Sequence, residues 1–208
     1  MRSRTRMGVL VGVCFAAVTY ALWWRKNPSP CPYSQRVWVE LPRPVITRSC
    51  LREVLDLDPG ERVLEVGPGT GYYSLPVARW LGSNGRLHIL DIQSEMLAHT
   101  YKRANDAGIE TIEPTRGDAQ ALPYPDDSFD AAYLVLVLGE VPDQERTLAE
   151  LTRVLEPGGR LIVGELFPDP HFVSLGALRE RAGANGLRFE RRAGGRLGYF
   201  ATFRKPDE

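Results

Sequence analysis

Between residues 44 and 204, short apolar runs alternate with stretches of helical period, and this alternation admits few architectures. Residues 62–66, 87–91, 129–137 and 160–166 read as strands, and 111–116 as a weaker one because Pro114 cannot donate to a ladder. The run 129–137 is apolar nearly throughout, as a parallel strand covered on both faces requires. Helices are expected over 44–57 (Ile46, Cys50, Val54, Leu57), from Gly71 to about Gly82, over 94–107 (Leu97, Tyr101, Ala104), over 143–155 (Leu148, Leu151, Leu155) and over about 172–185. Residues 187–192 and 197–204 read as an antiparallel hairpin across Ala193-Gly194-Gly195-Arg196. Five strands with helical crossovers imply an α/β fold with a doubly wound, mostly parallel sheet, and the hairpin adds two strands at its end.

The chain has 208 residues, which makes one domain the default. Its 26 basic and 26 acidic side chains cancel, which argues against a nucleic-acid partner held by bulk charge. Cys14, Cys31 and Cys50 are too few and too scattered for a disulfide framework or a zinc cluster, and no metal is expected. The charge is unevenly spread. Residues 1–26 carry Arg2, Arg4, Arg6, Arg25 and Lys26 and no acid, so the remainder is net acidic. Residues 7–24 are free of charge and end in Trp23-Trp24 before Arg25-Lys26, which fits a transmembrane helix acting as a signal anchor. A cleaved signal peptide is the alternative, with Thr19-Tyr20-Ala21 as a passable cleavage site. Residues 27–43, with Pro28, Pro30, Pro32 and Pro42, read as an extended linker, and 44–208 as the folded domain.

The first strand runs into Gly67-Pro68-Gly69-Thr70-Gly71, where glycine lets backbone approach a ligand closely. The dinucleotide spacing G-x-G-x-x-G would need glycine at Tyr72, which disfavours a pyrophosphate ligand. Residues 63–71 resemble motif I of the class I S-adenosylmethionine-dependent methyltransferases, closest to the small-molecule enzymes of the ubiquinone/menaquinone-biosynthesis type. The match continues in order through Asp91, Gly117-Asp118-Ala119, residues 126–130 and 153–161, and the terminal hairpin. The resemblance implies a seven-stranded Rossmann-like sheet and S-adenosyl-L-methionine as cofactor. It places Glu65 toward the cofactor's ammonium end, Gly67, Gly69 and Gly71 against it, Asp91 on the ribose hydroxyls and Ile92 over adenine. Asp118 would accept from the adenine amino group and the Ala119 amide would meet a ring nitrogen.

Methyl transfer is an in-line displacement whose leaving sulfur departs neutral, so positioning is the main task and a base is needed only for a protonated nucleophile. Glu140, in the turn after the fourth strand, and His171, six residues beyond Glu165 at the end of the fifth, are the candidate bases. The stretch 38–44 and the first helix are the expected cover of the acceptor side. The expected partners are a small-molecule methyl acceptor, apolar or interfacial, and a lipid bilayer reached through the N-terminal helix. The expected location is a single-pass membrane protein with its domain in the cytosol. Two rival readings are a non-catalytic S-adenosylmethionine-binding module and a nicotinamide-dependent oxidoreductase.

Overall fold

The computed structural model describes residues 27–207. A 3-10 turn (Tyr33–Gln35) and two helices, α1 (Arg36–Glu40) and α2 (Arg48–Leu55), precede β1 (Arg62–Val66). There follow α3 (Ser74–Leu81), β2 (Arg86–Asp91), α4 (Ser94–Asp106), β3 (Ile112–Arg116), β4 (Phe129–Val135) and α5 (Gln144–Val154). β5 (Leu155–Leu166), α6 (Leu175–Ala184), β6 (Arg188–Gly195) and β7 (Gly198–Arg204) complete the domain. The seven strands form one sheet in the order β3-β2-β1-β4-β5-β7-β6. β1 to β5 pair in parallel, and β7 runs antiparallel to both β5 and β6.

Strand alternation divides the core into two layers. Leu64, Val66, Leu134, Leu161 and Val163 pack on α5 and α6 through Leu148, Leu151 and Leu178. Val63, Leu87, Ile89, Tyr133 and Ile162 pack on α2, α3 and α4 through Leu51, Val77, Leu81 and Leu97. Pro114 lies in β3 at the sheet edge, where its missing N–H removes no internal ladder bond.

Local chemistry moves three boundaries from where periodicity puts them. Thr47 accepts from the Cys50 amide (3.2 Å) and caps α2, so the helix starts at Arg48 and not at Pro44. Leu136 has a φ of +60°, which ends β4 at Val135. β5 starts at Leu155 and not at 160, because Glu156-Pro157-Gly158-Gly159 is carried inside it opposite a register shift between Phe129 and Ala131.

Two expectations are corrected. The fold class is the seven-stranded mixed sheet, and the N-terminal transmembrane helix has no support: no helix among the described residues is long and apolar enough to cross a membrane, and the expected span, 7–24, lies outside them. The single-pass membrane location and the bilayer as a partner rested on that span and lose their support with it. The segment 27–43 also departs from an extended linker. Its 3-10 turn and α1 fold back over the ends of the strands, held by contacts described below.

One buried ion pair ties the layers together. Arg160 at the start of β5's core section meets both Glu61 oxygens (2.8 and 2.6 Å) and the Leu55 carbonyl at the end of α2 (2.9 Å). Both side chains are nearly excluded from solvent. Removing one partner leaves an uncompensated buried charge. Arg160→Leu is therefore expected to lower unfolding free energy by about 3 kcal/mol in urea titration, whereas exposed Lys102→Leu, which breaks the surface pair with Asp106, should change it by less than about 1 kcal/mol.

Candidate functional site

The carboxyl ends of β1, β2 and β4 lie side by side, with the glycine loop between them. Gly67, Gly69 and Gly71 all have positive φ, so side chains there would be strained. Each is also closely covered. A Cβ on Gly67 would fall 2.4 Å from Val137, on Gly69 2.7 Å from Val39, and on Gly71 2.7 Å from Leu75. The loop is a cradle of bare backbone, tied to β2 by the Gly67 amide on the Leu90 carbonyl (2.8 Å).

Glu65 stands opposite Ile89 and Tyr133 in the ladder, so its side chain lies on the α3 face. It is 3% exposed. Burial pushes its carboxyl up to about 7, against the opposing pull of the Ser74 and Tyr133 hydroxyls. Neither hydroxyl reaches hydrogen-bonding geometry: Glu65 Oε2, Ser74 Oγ and Tyr133 Oη are all buried without a partner. Three orphaned polar groups beside a bare-backbone cradle are what a polar ligand with a cationic end would satisfy.

Asp91 ends β2. Burial raises it to about 6, opposed by the amides of Gln93, Ile92 and Gly69. The Gln93 amide donates to Oδ1 (2.9 Å). Ile92 beside it is 49% exposed, an apolar face open to a ligand. Asp118 follows β3, but both its oxygens face the Gln120 side-chain amide (3.1 Å each) and Oδ1 also accepts the Gln120 backbone amide (2.9 Å). Ala119 is buried against the apolar core. The structure thus gathers Glu65, the three glycines, Asp91 and Ile92 around one crevice, while Asp118 is engaged by its own turn.

The candidate bases lie on adjacent loops. Glu140 sits in the turn Leu138–Glu140, and its Oε2 accepts the Cys31 amide (3.3 Å). Its carboxyl is pushed up to about 8, first by burial, then by Asp169 and Asp91. His171 is buried in the loop after β5, where its amide donates to Asp169 Oδ1 (2.7 Å). A Cβ on Gly139 would lie 1.8 Å from the His171 carbonyl, so the two loops are pressed together at that glycine.

Contacts that sequence reasoning missed come from the segment 31–43. Gln93 clasps it twice, its Nε2 donating to the Cys31 carbonyl (3.0 Å) and its Oε1 accepting the Tyr33 amide (3.2 Å). Tyr33 hydroxyl meets His99 (3.2 Å), Val39 covers Gly69, and Arg43 lies over the rings of Tyr72 and Tyr73. Its prolines hid the fold because the partners are 29 to 109 residues away in sequence. A separate cavity of about 380 Å³ lies at the opposite end of the sheet, lined by Arg79, Arg86 and residues 108–111, away from these groups. Among the described residues no cluster of His, Cys, Asp or Glu is arranged to hold a metal ion.

Raised carboxyl pKa values set the sign of a pH effect. Between the ordinary value of 4.5 and about 7, native Glu65 binds more proton than the unfolded chain does, so its contribution to stability falls as pH rises through that window. Glu65→Gln is expected to gain melting temperature relative to the parent from pH 5 to 7 and to level off above, read by scanning fluorimetry without ligand.

A family model for the methyltransferase domain matches residues 63–159. The chain is 42% identical over 113 residues to the ubiquinone/menaquinone biosynthesis C-methyltransferase UbiE of Cellvibrio japonicus, covering 54% of this chain and 45% of that protein. It is 36% identical over 109 residues to the demethylmenaquinone methyltransferase of Bacillus cytotoxicus, covering 52% and 46%. The chain spans about half the length of the curated relatives it matches. Among solved structures, a SAM-dependent methyltransferase from Aquifex aeolicus superposes with a TM-score of 0.78 at 21% identity, over 85% of this chain and 100% of that one. The [4+2]-cyclase SpnF superposes at 0.69 with 23% identity, over 77% and 80%. Both of these likenesses show the fold alone.

Proposed function

We propose that this chain, whose domain belongs to the class I S-adenosylmethionine-dependent methyltransferases, transfers the methyl group of that cofactor to a small, largely apolar acceptor. The observation that carries the reading is the joint placement of orphaned Glu65, the bare-backbone loop and Asp91 at neighbouring strand ends. S-adenosylmethionine supplies a methyl on a sulfonium, and the residues present fit its other groups. Glu65, with Ser74 and Tyr133 beside it, would take the ammonium end. Asp91 offers acceptor oxygens to the ribose hydroxyls. Ile92 would cover one face of adenine. Asp118 would reach the adenine amino group only by giving up Gln120, and the Ala119 amide stands next to it.

On the acceptor side the chain's own work is positioning and water exclusion. The segment 31–43 closes over the crevice through Gln93, Glu140 and Gly69. Phe167, 55% exposed, meets Phe172 edge-on, and Phe172 meets Tyr199, which gives an apolar wall beside Asp169. Glu140 and His171 would be the groups to take a proton where the nucleophile carries one. A second reading, a quinone-type ring as acceptor, is favoured by the names of the curated relatives. A third keeps the fold without methyl transfer, as the cyclase of like fold illustrates, and the assay below separates it.

Asp91→Ala is expected to weaken S-adenosylmethionine binding by about 100-fold in calorimetry, since two hydrogen bonds to a charged acceptor are lost. Failure of the parent chain to bind the cofactor would overturn the assignment. Binding without methyl transfer from labelled cofactor to any component of a cell extract would favour the non-catalytic reading.

A further inference from the structure

Beyond the cradle, the turn after β4 and the loop after β5 bring three carboxyls together: Glu140, Glu165 and Asp169. Glu165 is the penultimate residue of β5 and is 2% exposed. Its Oε2 accepts the Val173 amide (3.1 Å), and its Oε1 is buried with no partner. Asp169 and Glu140 both act on it, and Asp169 and Asp91 both act on Glu140, so the groups share one electrostatic neighbourhood.

Among the described residues, no Lys or Arg forms an ion pair with any of these three acids. Arg43 and His171 oppose their charge, and both act on Asp169. Arg43 is already engaged by the Val39 carbonyl (3.0 Å) and by the rings of Tyr72 and Tyr73. The Cys31 thiol and the Tyr199 hydroxyl are both held in their neutral forms by the nearby acids and by burial. Arg192 on β6 lies over the Tyr199 ring and acts on that hydroxyl, beside Glu165, but makes no ion pair with either glutamate.

We propose that these carboxyls select an acceptor carrying a basic nitrogen, a primary or secondary amine on an otherwise apolar body, with Glu165 and Glu140 as its binding and proton-accepting groups. The proposal rests on the methyl-transfer reading above and names its acceptor class. An ammonium supplies the donor that Glu165 Oε1 lacks and the positive charge that the cluster lacks. A phenolate or other anionic nucleophile would gain no ion pair from these carboxyls and would be repelled by any of them that ionises. Burial raises both glutamates to about 8, which narrows the gap to an alkylammonium group and eases proton transfer from it. In a poorly solvated site, passing that proton from ammonium to carboxylate replaces an ion pair by two neutral groups. The freed nitrogen lone pair then forms the bond to the methyl carbon while the carbon–sulfur bond breaks. Sulfur keeps that electron pair and leaves neutral, and the positive charge ends on the methylated nitrogen.

The test uses the full chain with phenethylamine, hexylamine and hydroquinone as probes. S-adenosylmethionine binding is measured first by calorimetry. The amines are then titrated at pH 7 in two buffers of different ionisation heat. The expected result is amine binding with release of about one proton, because the arriving cation ionises a protonated carboxyl. Amine-dependent formation of S-adenosylhomocysteine, with none from hydroquinone, is expected in mass spectrometry. Glu165→Gln keeps an oxygen for the Val173 amide. With an unchanged melting temperature it should lower amine affinity at least 10-fold and kcat/KM about 100-fold, and leave cofactor binding within twofold. Glu140→Gln should act in the same direction. Cofactor binding with no binding or methylation of either amine overturns the amine assignment alone, as does turnover of hydroquinone only or parental amine affinity in both variants. Absence of cofactor binding overturns the methyl-transfer reading itself.

Discussion

β1 lies between β2 and β4, so the chain's crossovers leave in opposite directions from its carboxyl end and a crevice opens there. Every group in the proposed site depends on that placement. Glu65 is the penultimate residue of β1, Asp91 the last of β2, and Glu140 follows β4 by one short turn. The parallel ladders fix these ends at one level, and the two apolar layers hold the ladders from either side. Val137 over Gly67 then closes β4's turn onto the glycine loop, in a stretch where Leu136 carries positive φ, a conformation that costs of order 1–3 kcal/mol.

Carboxyl burial is the second theme. Glu65, Asp91, Glu140 and Glu165 are all pushed upward chiefly by loss of water, and among the described residues no Lys or Arg forms an ion pair with Glu65, Glu140 or Glu165. The ion pair Arg160–Glu61 shows the contrast: there a buried acid has its guanidinium on two oxygens. An acid kept without a partner is a cost to the fold, and a positively charged ligand would offset it. The cofactor's ammonium end and an amine acceptor would each relieve a different part of that cost, on opposite faces of the sheet: Glu65 on the α3 side, Glu165 on the α6 side.

The strands and helices of the sheet were legible because burial imposes period two or 3.6 on the apolar residues, and the glycine loop because its spacing is short-range. The hairpin was legible from Gly194-Gly195 between two β-rich runs. The fold of residues 27–43 was not. Its prolines and short apolar steps carry no period, and its shape comes from Gln93, Glu140, Gly69 and His99, each more than 25 residues distant from its partner. Glu165 stands in plain view at the end of an apolar run, yet nothing local says that one of its oxygens lacks a donor.

The sequence by itself determined the α/β alternation, the bare-backbone loop after β1 and the acids at the ends of β1 and β2, because these follow from local period, glycine geometry and motif order. Tertiary structure decided which of those acids stay unpaired, that Asp118 is engaged by Gln120, and that the proline-rich segment covers the crevice. The physical reason is that solvent exclusion and hydrogen-bond satisfaction are sums over neighbours brought together by folding, and residues far apart along the chain supply most of the terms.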